Sequence, residues 1–217
     1  MLKKLREPGS AITHFIGVLF SAAVATPLIM RAAQTSVRNA AAMTIFAFSM
    51  LLLYSASTTY HSIRFSAAVI KVFRKIDHMM IFILIAGSYT PVCLIVLKGT
   101  VGTAMLCAVW GIAAAGILFK ALWITCPKWV SSVLYIGMGW TCVFAFVPLW
   151  NILSAAAFAW LLAGGVFYTV GGVIYACKLS LLNSRHANFG SHEIFHLFVL
   201  AGSFCHFIFM YVFVANM

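Results

Sequence analysis

The stretch DHMMIFILIAGSYTPVCLIVLK, Asp77 to Lys98, sets an aspartate and a histidine at one end of an uncharged run, Met79 to Leu97, and a lysine at the other. About 18 or more apolar residues suffice to cross a bilayer as a helix, because each residue rises about 1.5 Å through a hydrocarbon core about 30 Å thick. Working outward, runs of the same kind occupy Ala11 to Met30, Ala40 to Tyr60, Val101 to Trp123, Ser131 to Leu149, Ala155 to Tyr175 and Ile194 to Val214. With 64% of its 217 residues apolar and only 8% charged, the chain has too little polar surface to clothe a soluble globule. The expectation is an all-α integral membrane protein, a bundle of seven transmembrane helices. Its connections are short enough for residues 1–217 to form a single domain.

Met1 to Ala25 has the layout of a secretory signal, with Lys3, Lys4 and Arg6 ahead of an apolar run and the small-residue triplet Ala23-Val24-Ala25. The run continues to Met30 and carries His14, so it reads as the first span.

A formal charge of +11 raises the question of nucleic acid, and the placement of the basic residues answers it. With seven spans, the N-terminus and the second, fourth and sixth loops share one face. That face holds Lys3, Lys4, Arg6, Arg64, Lys71, Arg74, Lys75, Lys120, Lys128, Lys178 and Arg185, against Arg31, Arg38 and Lys98 on the other. Lys and Arg concentrate on the cytoplasmic side of membrane proteins. The N-terminus is therefore expected in the cytoplasm and the C-terminus outside it, in the cell (inner or plasma) membrane. Membrane lipids, with anionic headgroups at the cytoplasmic face, are the natural partners, and nucleic acid is not. In the second loop, RFSAAVIKVFRKID, Phe65, Val69, Val72 and Ile76 recur at helical spacing. This segment reads either as a short helix lying in the interface or as a solvated basic turn.

Six cysteines show no Cys-x-x-Cys spacing and read as small packing residues. The doublets Gly164-Gly165 and Gly171-Gly172 read as points of close helix approach.

Ionisable groups are costly inside a membrane and mark functional positions there. The chain has three acids, Glu7, Asp77 and Glu193, and seven histidines. Alternating spans bring the end of the second, near His61, the start of the third, near Asp77, and the start of the seventh, near His192, to one depth on one side. His192 and His196 are one helical turn apart, so both rings can face one point. Zinc takes imidazole nitrogens, and its catalytic sites use three protein ligands plus water. His61, His192 and His196 are the candidate ligands of Zn2+. Asp77 is then either a fourth ligand or the carboxylate that holds the water. Simpler readings exist for each group: paired histidines in a bundle, Asp77 as a helix cap, and Glu193 favouring the positive end of the seventh helix. His14 lies at the right depth without a paired partner, as a weak candidate beside the ligands or a structural residue. His206 lies about 15 Å along the helix from His196 and is left out of the set.

Taken together, SASTTYHS (Ser55 to Ser62), DHMMIFILIAGSYTP (Asp77 to Pro91) and HEIFHLFVLAGSFCHF (His192 to Phe207) resemble the bacterial hemolysin III branch of the progestin and adiponectin receptor (PAQR) family. The likeness begins at EPGSAITHFIG, from Glu7, and covers nearly the whole chain. The resemblance implies zinc on His61, His192 and His196, with Asp77 beside the zinc-bound water and Ser57 lining the site as a catalytic-side hydroxyl. It also implies an N-in, C-out seven-helix fold. The wider set of membrane hydrolases that includes alkaline ceramidases implies cleavage of a lipid amide, on an acyl-chain or sphingolipid-like substrate, with a role in membrane lipid and fluidity homeostasis.

Three readings of function follow. The first is a zinc-dependent lipid amide hydrolase, ceramidase-like. The second is a receptor-like or cytolytic, hemolysin-type membrane protein in which zinc braces the helices. The third, ranked lower, is an intramembrane metalloprotease, because HEIFH is also a His-Glu-x-x-His string in which Glu193 is the base. Bis-histidine haem fits less well than these, since it needs facing histidines on two helices rather than a triad at one depth.

Overall fold

The structure, a computed structural model, describes residues 5–177 and 190–217, so Lys3, Lys4, Lys178, Arg185 and His186 lie outside the described residues. Within them it is helical throughout, with seven helices long and apolar enough to cross a membrane. They are Pro8–Ala33, Val37–Ser62, Ala67–Leu97, Gly99–Leu122, Lys128–Ile152, Ala155–Cys177 and Ser191–Val214, spans one to seven. Each is the expected apolar run extended at one or both ends, because polar residues continue a helix past the hydrocarbon, although span four stops one residue short of the expected Trp123. Pro8 opens span one, where its missing N–H costs nothing. Ser36 caps span two by accepting a hydrogen bond from Asn39 N–H at 3.0 Å.

The largest extension overturns two readings. Residues 67–77 form neither a separate interfacial helix nor a basic turn but the first turns of span three, with Val72 and Ile76 exposed on its outer side and Phe65 exposed just ahead of it. Asp77 therefore does not cap the helix. Ser66 is the N-cap residue, and Asp77 is buried, level with the end of span two.

Two spans are irregular, each for an identifiable reason. Past Pro91, span three loosens into a π-helical turn, Val92–Leu97, closed by Lys98 N–H on Cys93 O at 3.2 Å. Lys98 and Gly99, with φ of 51° and 52°, then turn the chain into span four. Span five breaks at Gly139 into the 3-10 segment Trp140–Ala145 before resuming at Phe146. In hydrocarbon the freed backbone groups need a partner. Tyr89 on span three supplies it, its hydroxyl donating to Gly139 O at 2.6 Å and accepting from Cys142 N–H at 2.7 Å.

Spans one, two and three pack in sequence, six packs on seven, and span one touches seven as well as two. Lipid tails are as apolar as leucine, so close fit rather than hydrophobic burial holds such helices together. The glycine doublets serve this fit in part: Gly164 faces the His206 ring, Gly171 faces Phe198, Gly172 faces Ile136, and Gly165 instead borders a cavity. Cys93 and Cys205 are buried as packing residues, Cys126 is buried but accepts from Lys120 Nζ at 3.1 Å and so belongs to a polar cluster, and all six cysteines are free thiols. Phe15, Leu19, Phe48, Phe144 and Val147 are exposed on the outer surface, as lipid-facing side chains are.

At Gly87 a side chain would run into Ser49 and the Ile45 carbonyl across the joint between spans two and three. Gly87→Val is expected to cost roughly 1–3 kcal/mol through overpacking. It should lower the unfolding midpoint in detergent by several degrees. Adding Ser49→Gly should recover part of the loss, and an unshifted midpoint for Gly87→Val would show that the joint is misdrawn.

Candidate metal centre

Polar groups inside the bundle are mostly paired: Tyr54 donates to Ser203 Oγ at 2.6 Å, Tyr168 meets the same oxygen at 2.8 Å, and Trp110 donates to Thr90 at 3.1 Å. Buried side-chain atoms without a partner among the described residues belong to Arg6, His14, Ser57, Thr58, His192 and His206. All but His206 lie at the end of the bundle that carries the N-terminus. An unpaired buried polar atom costs about 1–3 kcal/mol, so their concentration at one place marks a site built for something else to occupy.

At that place His61, from the last turn of span two, meets His192 and His196, from the first turns of span seven. Each offers a ring nitrogen, and these atoms all lie within 4.8 Å of one another. The Nε2 atoms of His61 and His192 face each other at 3.3 Å. His61 and His196 are fully buried, and His192 is partly so. Neighbours fix which nitrogen each ring presents. Glu7 holds the Nδ1 of His61 through its carboxylate, and Glu7 N–H donates to His61 O at 3.0 Å. Thr13 directs its hydroxyl hydrogen to the carbonyls of Gly9 and Ser10, at 3.0 Å each, so its oxygen is left to accept from His196 Nδ1 at 3.1 Å. The Nε2 atoms of both rings thus keep their lone pairs for a cation. A carboxylate or hydroxyl behind each ligand histidine is the usual support of a metal site. Three converging imidazoles, two with tautomers fixed from behind, fit a borderline transition-metal ion.

The other acids occupy different surroundings. Glu193 accepts from Ser10 Oγ at 2.5 Å and from Gly190 N–H at 2.8 Å, so it closes the N-terminus of span seven onto span one. Asp77 is 7% exposed, with Oδ2 3.5 Å from His78 Nδ1. With Ser57, His192 and His196 it lines one end of an internal cavity of about 130 Å3. That is far more than the roughly 10–15 Å3 a single water needs. Apolar side chains such as Ile81, Leu84, Ile85 and Val199 form most of its wall, which ends beside Thr169 and His206. His14 stacks on His196 at 3.5 Å between ring centroids and borders the same cavity.

Sequence reasoning brought together His61, His192, His196, Asp77 and Ser57, and kept His206 apart from the ligands; it missed Glu7, Thr13 and the place of His206 on the cavity wall. The signal for Glu7 was its scarcity: it is one of three acids, set directly before Pro8. Burial alone pushes the Glu7 carboxyl up, but the hydrogen bond and charge of His61, with the Arg6 guanidinium, outweigh it and hold it below the ordinary carboxylate range.

A sequence profile of the family described as Haemolysin-III related matches residues 2–207. The chain belongs to the haemolysin-III related family. Within it, Hemolysin-3 of Bacillus cereus is 39% identical over 198 residues, 91% of this chain and 86% of that protein. The Hemolysin-3 homolog of Bacillus subtilis (strain 168) is 41% identical over the same share of this chain and 89% of its own length. A more distant relative, the Monocyte to macrophage differentiation factor of Homo sapiens, is 25% identical over 167 residues, 75% of this chain and 66% of that protein. This haemolysin-III related chain is a multi-pass membrane protein, and a plasma membrane suits its bacterial relatives.

Protein purified without chelator is expected to carry about one transition-metal ion per chain by elemental analysis, and the combined His61→Ala, His192→Ala, His196→Ala variant none. Glu7→Gln should weaken the ion about 10–100-fold in a chelator competition while the fold persists. Stoichiometric metal in the triple variant would place the ligands elsewhere.

Proposed function

We propose that the protein is a zinc-dependent hydrolase of lipid amides, ceramidase-like, acting in membrane lipid homeostasis. The observation that carries this reading is the cavity: three histidines that can hold an ion stand at the head of an apolar chamber, with a carboxylate and an unpaired hydroxyl on the same wall. Such a chamber suits an acyl chain whose amide lies at the polar end. His61, His192 and His196 would hold zinc, which supplies Lewis acidity toward a carbonyl and makes water nucleophilic near neutral pH.

The chain's own residues have these roles. Ile81, Leu84 and Val199 exclude water from the acyl chain. Ser57 Oγ donates a hydrogen bond to the acyl oxygen. Asp77 orients the water and takes its proton as the water's oxygen adds to the carbonyl carbon. The C–N bond then breaks, the proton passes to the departing amine, and a fatty acid and an amine result. Glu193 has no part in this chemistry. Its carboxylate is engaged by Ser10 and by the helix N-terminus, which argues against a protease with Glu193 as base.

The charge asymmetry between the two faces supports an N-terminus in the cytoplasm, so the site draws substrate from the cytoplasmic leaflet. A second reading, membrane lysis with the metal bracing the helices, has one observation in its favour: two relatives near 40% identity bear the name hemolysin.

Asp77→Asn is expected to keep zinc and to lose amide hydrolysis by a factor of about 100 or more, as removal of a proton-transfer group does. Glu193→Gln should change turnover less than about threefold, well inside that range. The reverse pattern, with both variants folded and zinc-loaded, would exchange their roles and restore the protease reading. For orientation, a reporter active only in the cytoplasm, fused after Met217, should be silent, and strong activity there would invert the bundle.

A further inference from the structure

The cavity has a second polar end. Along the wall beyond the histidine cluster, polar side chains are answered within the protein, as hydrocarbon requires. Ser88 donates to Leu84 O at 2.8 Å, Tyr89 to Gly139 O at 2.6 Å, and Tyr168 meets Ser203 Oγ at 2.8 Å. Trp140 Nε1 donates to Thr169 Oγ1 at 2.9 Å, and Thr169 donates in turn to Gly165 O at 2.7 Å. His206 is different. Its Nε2 stands 3.3 Å from Leu161 O, and a carbonyl only accepts, so the neutral ring carries its proton on Nε2 and Nδ1 keeps a lone pair. That nitrogen is buried with no partner among the described residues.

Packing fixes how the ring is turned. A side chain at Gly164 would run into His206 Cδ2 and Nε2, so the bond between these two atoms is pressed against span six. Nδ1 is the corner of the imidazole opposite that bond, and it is the ring's open polar atom where His206 borders the cavity beside Tyr168 and Thr169. His206 lies about 15 Å beyond His196 along the helix Ser191–Ile208. The chamber therefore runs from three histidines that can hold an ion to a single acceptor at its far end, with Leu84, Ile85 and Val199 on the wall between. An acceptor left unanswered in such surroundings is costly, and a charged donor brought to it would be costlier still. A hydroxyl is neutral, small and able to donate.

We propose that His206 Nδ1 receives the hydroxyl of a hydroxylated acyl chain, so that the lipid this cavity prefers carries that hydroxyl about 15 Å from the polar group held at the histidine end. The hydroxyls of ceramide stand beside its amide and do not reach so far. That the polar group is a scissile amide rests on the hydrolase reading; the hydroxyl site stands on His206 and the cavity.

The probes are N-acyl ethanolamines of one chain length, unsubstituted or hydroxylated at successive positions along the chain. Binding is measured with metal-loaded Asp77→Asn protein in phosphatidylcholine nanodiscs, which keeps the amide intact, and hydrolysis with the unaltered protein. The analogue whose hydroxyl falls about 15 Å from the amide should bind about fivefold or more tighter than the unsubstituted chain, as a buried acceptor gains its partner. His206→Phe keeps a ring and removes the acceptor, so this ratio should fall to about one. Partitioning of each lipid into the bilayer is common to both proteins and cancels in the comparison. Gly164→Ala, which displaces the His206 ring from the other side, should lower the ratio at least about threefold with metal content unchanged. Equal affinity along the series would mean that water alone answers Nδ1 and would overturn the site, as would a preference that ignores the hydroxyl's position or survives His206→Phe. Equal binding with hydrolysis of every member would remove the hydroxyl site and leave the hydrolase. A positional preference without turnover of any member would do the opposite.

Discussion

Hydrocarbon offers no hydrogen bonds, and this one constraint orders the bundle. Each polar group within a span has to find a partner in the protein, so Tyr89 mends the broken fifth span and Ser203 serves two tyrosines at once. Against that rule, the unpaired atoms of His14, Ser57 and His192 and the crowded nitrogens of His61 and His196 stand out. A fold that tolerates such cost at one end and avoids it almost everywhere else gains something there that the side chains alone do not supply.

The supporting shell shows how the cost is contained. Span one touches both ligand-bearing helices and contributes the groups behind the ligands: Glu7 at its threshold for His61, Thr13 for His196, and the His14 ring stacked on His196. Arg64 Nη2 donates to Leu5 O at 2.7 Å, so the segment before span one is tied down across the end of span two. The three acids are thereby divided among three tasks: one behind a ligand, one closing a helix, one on the cavity wall.

Much of this was legible in the sequence, and what was not has physical causes. Apolar length announces a span, so all seven were visible. Their ends were not, since a helix leaving the bilayer continues on residues such as Lys71 and Lys75, which hydropathy reads as loop. The histidine set was visible because i, i+4 spacing and span alternation are both counting rules. Glu7 was hidden by lying outside any span, and Thr13 by looking like an ordinary member of an apolar helix. Its role depends on a contact between spans far apart in sequence, with 183 residues between Thr13 and His196, and no local pattern encodes that. The cavity too is a property of packing: Gly165 and, at the break in span five, Gly139 and Trp140 lie on its wall, and neither fact is periodic.

The division of ligands between spans two and seven also sets an order on biosynthesis. His61 enters the membrane with most of the chain still unmade, and for that interval only Glu7 and its near neighbours can shield it. His192 and His196 arrive on the span that leaves the ribosome last of the seven. The three-ring set is therefore complete only once the last span is in place, so any ion that all three rings hold together arrives after insertion rather than guiding it.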